Sequence, residues 1–327
     1  MNKLKTMLKF TKKLIFLIIF IVSLVLIFLI VPFFLNKFDQ LPRIEFNING
    51  FIIDDFAYWL QDTNKETIRN SKYDLIIIDY SSDGSESGEY TSTDVIYMKS
   101  SGINEKLLLS YISIGEAEDY RFYWNESWDE NHDGLPDMGS PDWLDIENPD
   151  WEGNYKVKFW MEEWQHIIYN YLDRILTGGF DGIYMDIIDA YEYYQSVIIH
   201  SDWKMIDFVS NISNYVKSHS SANFSVFVQN ADELLLNSTY LDHIDGIGRE
   251  DLFYFDNTPT SISWRNEGIN NLNHALNLNK TVLITDYPQL KTSKYKFYEN
   301  CIYNGYLGYA ANRELDKLEE TNFYAST

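Results

Sequence analysis

Cysteine is nearly absent. Cys301 stands alone among 327 residues, so no intrachain disulfide, zinc-thiolate cluster or thiol pair can be built from this residue type. It does not follow an apolar run, which removes a lipid-modified cysteine as an anchor. Histidine is scarce as well, with six copies and no His-x-His or His-x-x-x-His spacing. A metal hydrolase is therefore disfavoured, and no metal or cofactor is expected. No Gly-x-Gly-x-x-Gly or Gly-x-x-x-x-Gly-Lys-Ser/Thr sequence follows a strand pattern, and no Gly-x-Ser-x-Gly elbow occurs, so nucleotide chemistry and a serine hydrolase lack support. Basic residues number 26 against 49 acidic ones, a formal net charge of −23. Nucleic acid is excluded as the natural partner, and a cationic substrate is favoured through steering.

What the chain has in quantity is apolar and aromatic side chains, at 45% and 17%, with 25 Tyr, 9 Trp and 20 Phe. That is enough to bury a sizeable core, and amphipathic rings also suit stacking on sugar faces. Residues 14–35 are apolar except for Ser23 and Pro32, and Lys3, Lys5, Lys9, Lys12 and Lys13 precede them. As a helix the run spans roughly the ~30 Å hydrocarbon core of a bilayer. It reads as a membrane anchor with a cytoplasmic leader, residues 1–13, and an extracellular domain, by the positive-inside rule. A cleaved signal peptide is the rival reading, against which stands the lack of a small-x-small site before Pro32. Residues 36–50 read as a linker, and 51–327 as one folded domain.

In that domain eight strand-like segments alternate with helical spacing. They are Ile52 to Leu60, Tyr73 to Tyr80, Lys106 to Ile114, Asp181 to Ile187, Phe224 to Gln229, Ile244 to Arg249, Thr281 to Asp286 and Tyr306 to Ala311. Runs such as Leu75-Ile76-Ile77-Ile78 are the pattern of strands buried on both faces of a parallel sheet. Ile167, Ile168, Tyr171, Leu172 and Ile175, and later Trp203, Ile206, Val209 and Ile212, recur at helical spacing. Eight such units predict an α/β fold, a (β/α)8 TIM barrel, which typically takes ~250 residues.

Polar residues crowd the ends of these strands: Asp79, Glu116 and Glu118, Asp186 and Asp189, Asn230, Arg249 and Glu250, Asp286 and Tyr287. In a parallel barrel that rim carries the chemistry. The plainer reading of Asp186 and Asp189 is that they cap the next helix. The plainer reading of the other acids is hydrogen bonding to Arg121, Arg249 and Arg313. Two carboxyls on one rim suit acid–base chemistry, one holding a proton to give and the other ionised. Asp186 and Glu250 are the expected pair. Asp189, Asn230, Arg249 and Asp286 are expected to bind the substrate from the same rim.

The stretches Ser113 to Trp124, Pro141 to Leu144, Asn148 to Tyr155 (Asn-Pro-Asp-Trp-Glu-Gly-Asn-Tyr) and Gly179 to Asp186 (Gly-Phe-Asp-Gly-Ile-Tyr-Met-Asp) resemble glycoside hydrolase family 114. That group of extracellular TIM-barrel proteins includes endo-α-1,4-polygalactosaminidases. The resemblance runs from about Ile53 to Arg313. It implies an acidic pair at the ends of the fourth and sixth strands, which falls on Asp186 and Glu250, with Asp251 adjacent to the second. It also implies sugar-holding roles for Asp79, Glu116 and Tyr184, and a cationic amino-sugar polysaccharide as partner. A carbohydrate-binding barrel without turnover is the alternative.

One constellation stands apart. Asp129-x-Asn131-x-Asp133-Gly134-x-Pro136-Asp137 resembles the first part of a calcium loop, but Ser140 stands where a bidentate Glu is expected. An Asx-turn loop over the barrel mouth is the other reading.

Overall fold

The computed structural model describes residues 43–100, 105–220 and 223–319. The leader and the apolar run at 14–35 lie outside them, and no helix among the described residues is long and apolar enough to cross a membrane. Residues 44–320 form one compact unit.

Seven of the expected strands form with ends within two residues of the expectation, and of the first, Ile52 to Leu60, only Phe56–Tyr58 joins the barrel. The barrel strands are β1 (Phe56–Tyr58), β2 (Leu75–Asp79), β3 (Leu107–Ser113), β4 (Gly182–Asp186), β5 (Ser225–Gln229), β6 (Gly246–Glu250), β7 (Thr281–Asp286) and β8 (Leu307–Ala310). All pair in parallel with their sequence neighbours, from β1 through to β8. No ladder joins β8 back to β1 among the described residues. That seam is instead filled by Phe56 against Tyr309, ring centroids 5.8 Å apart. At its upper end the carbonyl of Leu315 accepts from the amides of Leu60 and Gln61 at 2.9 and 3.0 Å.

Helices connect the strands on the outside: α1 (Lys65–Asn70), α2 (Ser92–Lys99), α3 (Glu162–Gly178), α4 (Ala190–Tyr194), α5 (Ser201–His219), α6 (Ser238–His243), α7 (Ile262–Asn277) and α8 (Lys291–Asn304). Four of the eight start on a capping side chain, Asn64, Thr91, Asn237 and Ser261 ahead of α1, α2, α6 and α7. Thr91 and Asp94 form a reciprocal capping box on α2, and the Asn64 side chain accepts from Thr67 N on α1. The helix-to-strand break ahead of β4 is a Gly at φ 82°, Gly179, which ends α3 in the left-handed conformation glycine adopts without steric cost.

Two expectations change. The segment Ile52 to Leu60 is not one strand. Phe51–Ile53 pairs antiparallel with Phe46–Ile48, so the described part of the expected linker holds a hairpin strand. The break falls at Asp54 and Asp55 because side chains take over the backbone bonding there. Asp54 N donates to Asp74 Oδ2 at 3.1 Å and Asp74 N to Asp55 Oδ1 at 2.8 Å. The second change is an insertion between β3 and α3, a three-stranded antiparallel sheet of Glu116–Glu118, Asn154–Val157 and Leu144–Glu147. It builds one wall of the barrel mouth.

Candidate active site

A cleft of about 910 Å³ opens at the C-terminal ends of the strands. Asp186 and Glu250 both line it, one at the end of β4 and the other at the end of β6. Asp186 Oδ1 accepts from the amide of Ile187 at 2.7 Å, and its Oδ2 from the hydroxyl of Tyr111 at 2.9 Å. Glu250 Oε2 accepts from Gln229 Nε2 at 2.5 Å and Asn230 Nδ2 at 3.4 Å, while Oε1 accepts from the Tyr287 hydroxyl. Gln229 is itself oriented, since the Tyr58 hydroxyl donates to its Oε1 at 2.9 Å. That leaves its amide nitrogen facing Glu250.

The backbone turns sharply just past each carboxylate. Ile187 has φ 57° and Asp251 φ 51°. A β-branched residue resists the left-handed region, and strain of about 1–3 kcal/mol at such a position persists only where the surroundings enforce it. Burial and the charge of Glu250 hold the Asp186 carboxyl well above the ordinary carboxylate range. Burial also pushes Glu250 up, against the downward pull of its Tyr287 and Asn230 hydrogen bonds. Two raised carboxyls in one cleft retain a proton between them above the pH at which free carboxyls lose theirs.

A second buried cluster forms the wall beside them. Arg121 holds Asp79 through two hydrogen bonds, Nη1 to Oδ1 at 2.9 Å and Nη2 to Oδ2 at 2.7 Å, and Glu118 through Nε at 2.6 Å. All three side chains are buried, and the guanidinium also lies against the rings of Tyr80, Tyr120 and Tyr171.

A sequence-family model described as glycoside-hydrolase family GH114 matches residues 45–326. The chain belongs to that family. It is similar to an uncharacterized protein of Methanocaldococcus jannaschii, 38% identical over 278 residues, covering 80% of this chain and 77% of that protein. One of Thermotoga maritima is 37% identical over 289 residues, covering 82% and 83%. Among solved structures, Ega3 of Aspergillus fumigatus in complex with galactosamine superposes with a TM-score of 0.60 at 14% identity, covering 85% of this chain and 95% of that one. The glycoside hydrolase domain of PelA from Pseudomonas aeruginosa gives 0.59 at 12% identity, covering 81% and 97%. At these identities the likeness is one of fold.

In this GH114 chain the residues expected to bind substrate divide. Asp79, Glu116, Asp189 and Asn230 line the cleft. Asp79 is committed to Arg121, and Asn230 to Glu250, whose amide donates to its Oδ1 at 3.0 Å. Asp189 holds the N-cap position ahead of α4, but its side chain makes no capping hydrogen bond. Tyr184, Arg249 and Asp286 do not line the cleft, and each departure follows from strand geometry. Tyr184 is two residues before Asp186, so it points inward one layer lower, buried against Tyr58 with centroids 5.3 Å apart. Arg249 precedes Glu250 and takes the opposite face, 2.9 Å from Asp232 and over the Trp264 ring. Asp286 is fully buried and accepts from the amides of Leu252, Phe253 and Tyr254 at 2.9, 2.9 and 2.7 Å. It anchors the loop that follows Glu250. Asp286→Ala leaves three buried amides without an acceptor, and an expected stability loss of about 3 kcal/mol is checked by urea denaturation.

Sequence reasoning passed over Tyr58, Tyr111 and Trp151 as site residues. The first two sit inside strands and read as core, although a tyrosine with its hydroxyl at the strand's mouth end was the available signal. Asp251, the neighbour of Glu250, pairs with Arg313 at 2.9 Å instead of facing the pair. The 129–137 loop does not line the cleft. Asp129 accepts from the amides of Asp133 and Gly134 and from the Tyr155 hydroxyl, at 3.1, 2.9 and 2.6 Å, so its oxygens are spent on an Asx-type turn.

Proposed function

We propose that this chain hydrolyses an amino-sugar polysaccharide of the α-1,4-linked galactosamine kind, at the outer face of a membrane to which residues 14–35 tether it. The observation that carries the reading is the convergence of Asp186 and Glu250 on one cleft, both with raised carboxyls. One of the two, protonated, donates to the glycosidic oxygen as the bond to the anomeric carbon breaks. The other, ionised, attacks that carbon or takes a proton from the attacking water, and the net reaction adds one water across the linkage. Tyr111, Gln229 and Tyr287 fix where the carboxyl oxygens point.

The charge of the cleft supports a cationic chain. Glu116, Asp189 and Glu192 line it in addition to the reacting pair and the Arg121 cluster, whereas its cations are Arg121, Lys156 and Arg313. Galactosamine carries an ammonium group wherever it is not acetylated. The full-length chain in detergent, incubated with partly deacetylated α-1,4-polygalactosamine, is expected to release new reducing ends. The rate is expected to fall several-fold as the polymer is N-acetylated or as salt is raised from 0.05 to 0.5 M, because screening shortens the reach of the acidic cleft. Equal rates on the fully acetylated polymer, with no salt effect, would remove the cationic substrate. Binding without reducing ends would leave a carbohydrate-binding barrel.

A further inference from the structure

The inserted sheet presents two groups to the cleft that the carboxylate pair does not use. Glu116 is 4% exposed and its Oε1 accepts from Asn148 Nδ2 at 2.8 Å, but its Oε2 is buried without a hydrogen-bond partner. A buried carboxylate oxygen left unpaired is costly, and such positions call for a donor from outside the protein. The cation whose charge acts on it, Lys156, lies over the Tyr193 ring at 5.0 Å and makes no hydrogen bond to it.

Trp151, by contrast, is 57% exposed although it lines the same cleft. A tight turn fixes it. Trp151 N donates to Asn148 O at 3.1 Å, Asn154 N to Trp151 O at 3.1 Å, and Asn148 N to Asn154 O at 2.7 Å. Gly153 closes the turn at φ 85°, where a Cβ would lie 2.8 Å from the Asp119 carboxylate. Asn148 joins the two groups. Its Nδ2 holds Glu116 while its Oδ1 accepts from Asp150 N at 3.1 Å inside the turn that carries Trp151.

We propose that Trp151 and Glu116 form an outer subsite for one hexosamine ring, adjacent to the ring that is cleaved. The indole takes the apolar face of the sugar, and Glu116 Oε2 takes its ammonium. This rests on the glycosidase reading and adds a chain-length requirement to it: short oligomers miss the platform, and longer ones gain it.

The test uses the full-length chain with α-1,4-galactosamine oligomers of graded length, read by both hydrolysis kinetics and calorimetric binding. Trp151→Ala is expected to raise KM and Kd about tenfold for long oligomers, leave kcat within about twofold, and flatten the dependence of kcat/KM on length. Trp151→Tyr is expected to recover most of the affinity, and Trp151→Leu, which keeps bulk without a ring, to recover little. Glu116→Gln is expected to weaken the preference for amino over N-acetylated oligomers several-fold in both readouts, the rest of the acidic cleft keeping part of it. Wild-type KM and Kd in Trp151→Ala and Trp151→Leu, with hydrolysis intact, would overturn the subsite and leave the glycosidase reading standing. Weakened binding in those variants, with no hydrolysis by the wild type, would uphold the subsite and overturn the glycosidase reading.

Discussion

Asp186→Asn and Glu250→Gln are each expected to lower kcat by about 10³-fold or more on any glycan the protein cleaves, with KM little changed. The size follows from the chemistry, since neither amide can donate the carboxyl proton or supply a carboxylate. Asn at 186 keeps the local bonding, because its oxygen can accept from the Ile187 amide while its nitrogen donates to Tyr111. Loss of activity is therefore expected without loss of fold. In Glu250→Gln the charge that helps hold the Asp186 proton is gone, so Asp186 is expected to titrate at a lower pH than in the wild type, read by carboxyl-labelled NMR. Stability should move the other way in Asp186→Asn. A carboxyl raised on folding stabilises the fold below its unfolded pKa of about 3.9, and that contribution is lost as pH rises through the folded value. The variant cannot ionise, so its Tm is expected to exceed that of the wild type at pH 8 and to differ little at pH 4. Full activity in both variants would remove the pair from the mechanism.

Arg121→Met is expected to cost about 3–5 kcal/mol in urea unfolding at pH 7, the largest stability effect among the residues near the cleft. The guanidinium is the bonded cation of two buried carboxylates, Asp79 and Glu118, and removing it leaves both charges in a low-dielectric wall. The gap to wild type is expected to narrow as pH falls, because burial already raises the Asp79 carboxyl against the pull of Arg121 and without that pull it rises further, so the folded variant binds more protons than the unfolded one. Arg121→Lys should recover only part of the loss, because an ammonium cannot hold Asp79 through two parallel bonds. An unchanged midpoint in Arg121→Met would mean that the cluster contributes nothing net to stability.

The eight barrel strands were legible because both faces of each are covered, which writes them as continuous apolar runs such as Leu107 to Leu109. Of the adjacent Glu250 and Asp251, the structure turns the first to the cleft and pairs the second with Arg313. What a list of strand-end residues does not carry is parity. Arg249 and Glu250, or Asp286 and Tyr287, are adjacent in sequence and face different surroundings, so one of each pair reaches the mouth and the other is spent on the barrel wall. Tyr184 shows the same rule one layer down. The inserted sheet escaped because its strands run for three or four residues and are interrupted by loops rich in Asp, Gly and Trp, with no period long enough to register.

The open seam between β8 and β1 falls three strands from Asp186 and two from Glu250, while β5 bonds directly to both of their strands. The ladders that set the span between the two acids are therefore continuous, and the gap in the cylinder lies away from them.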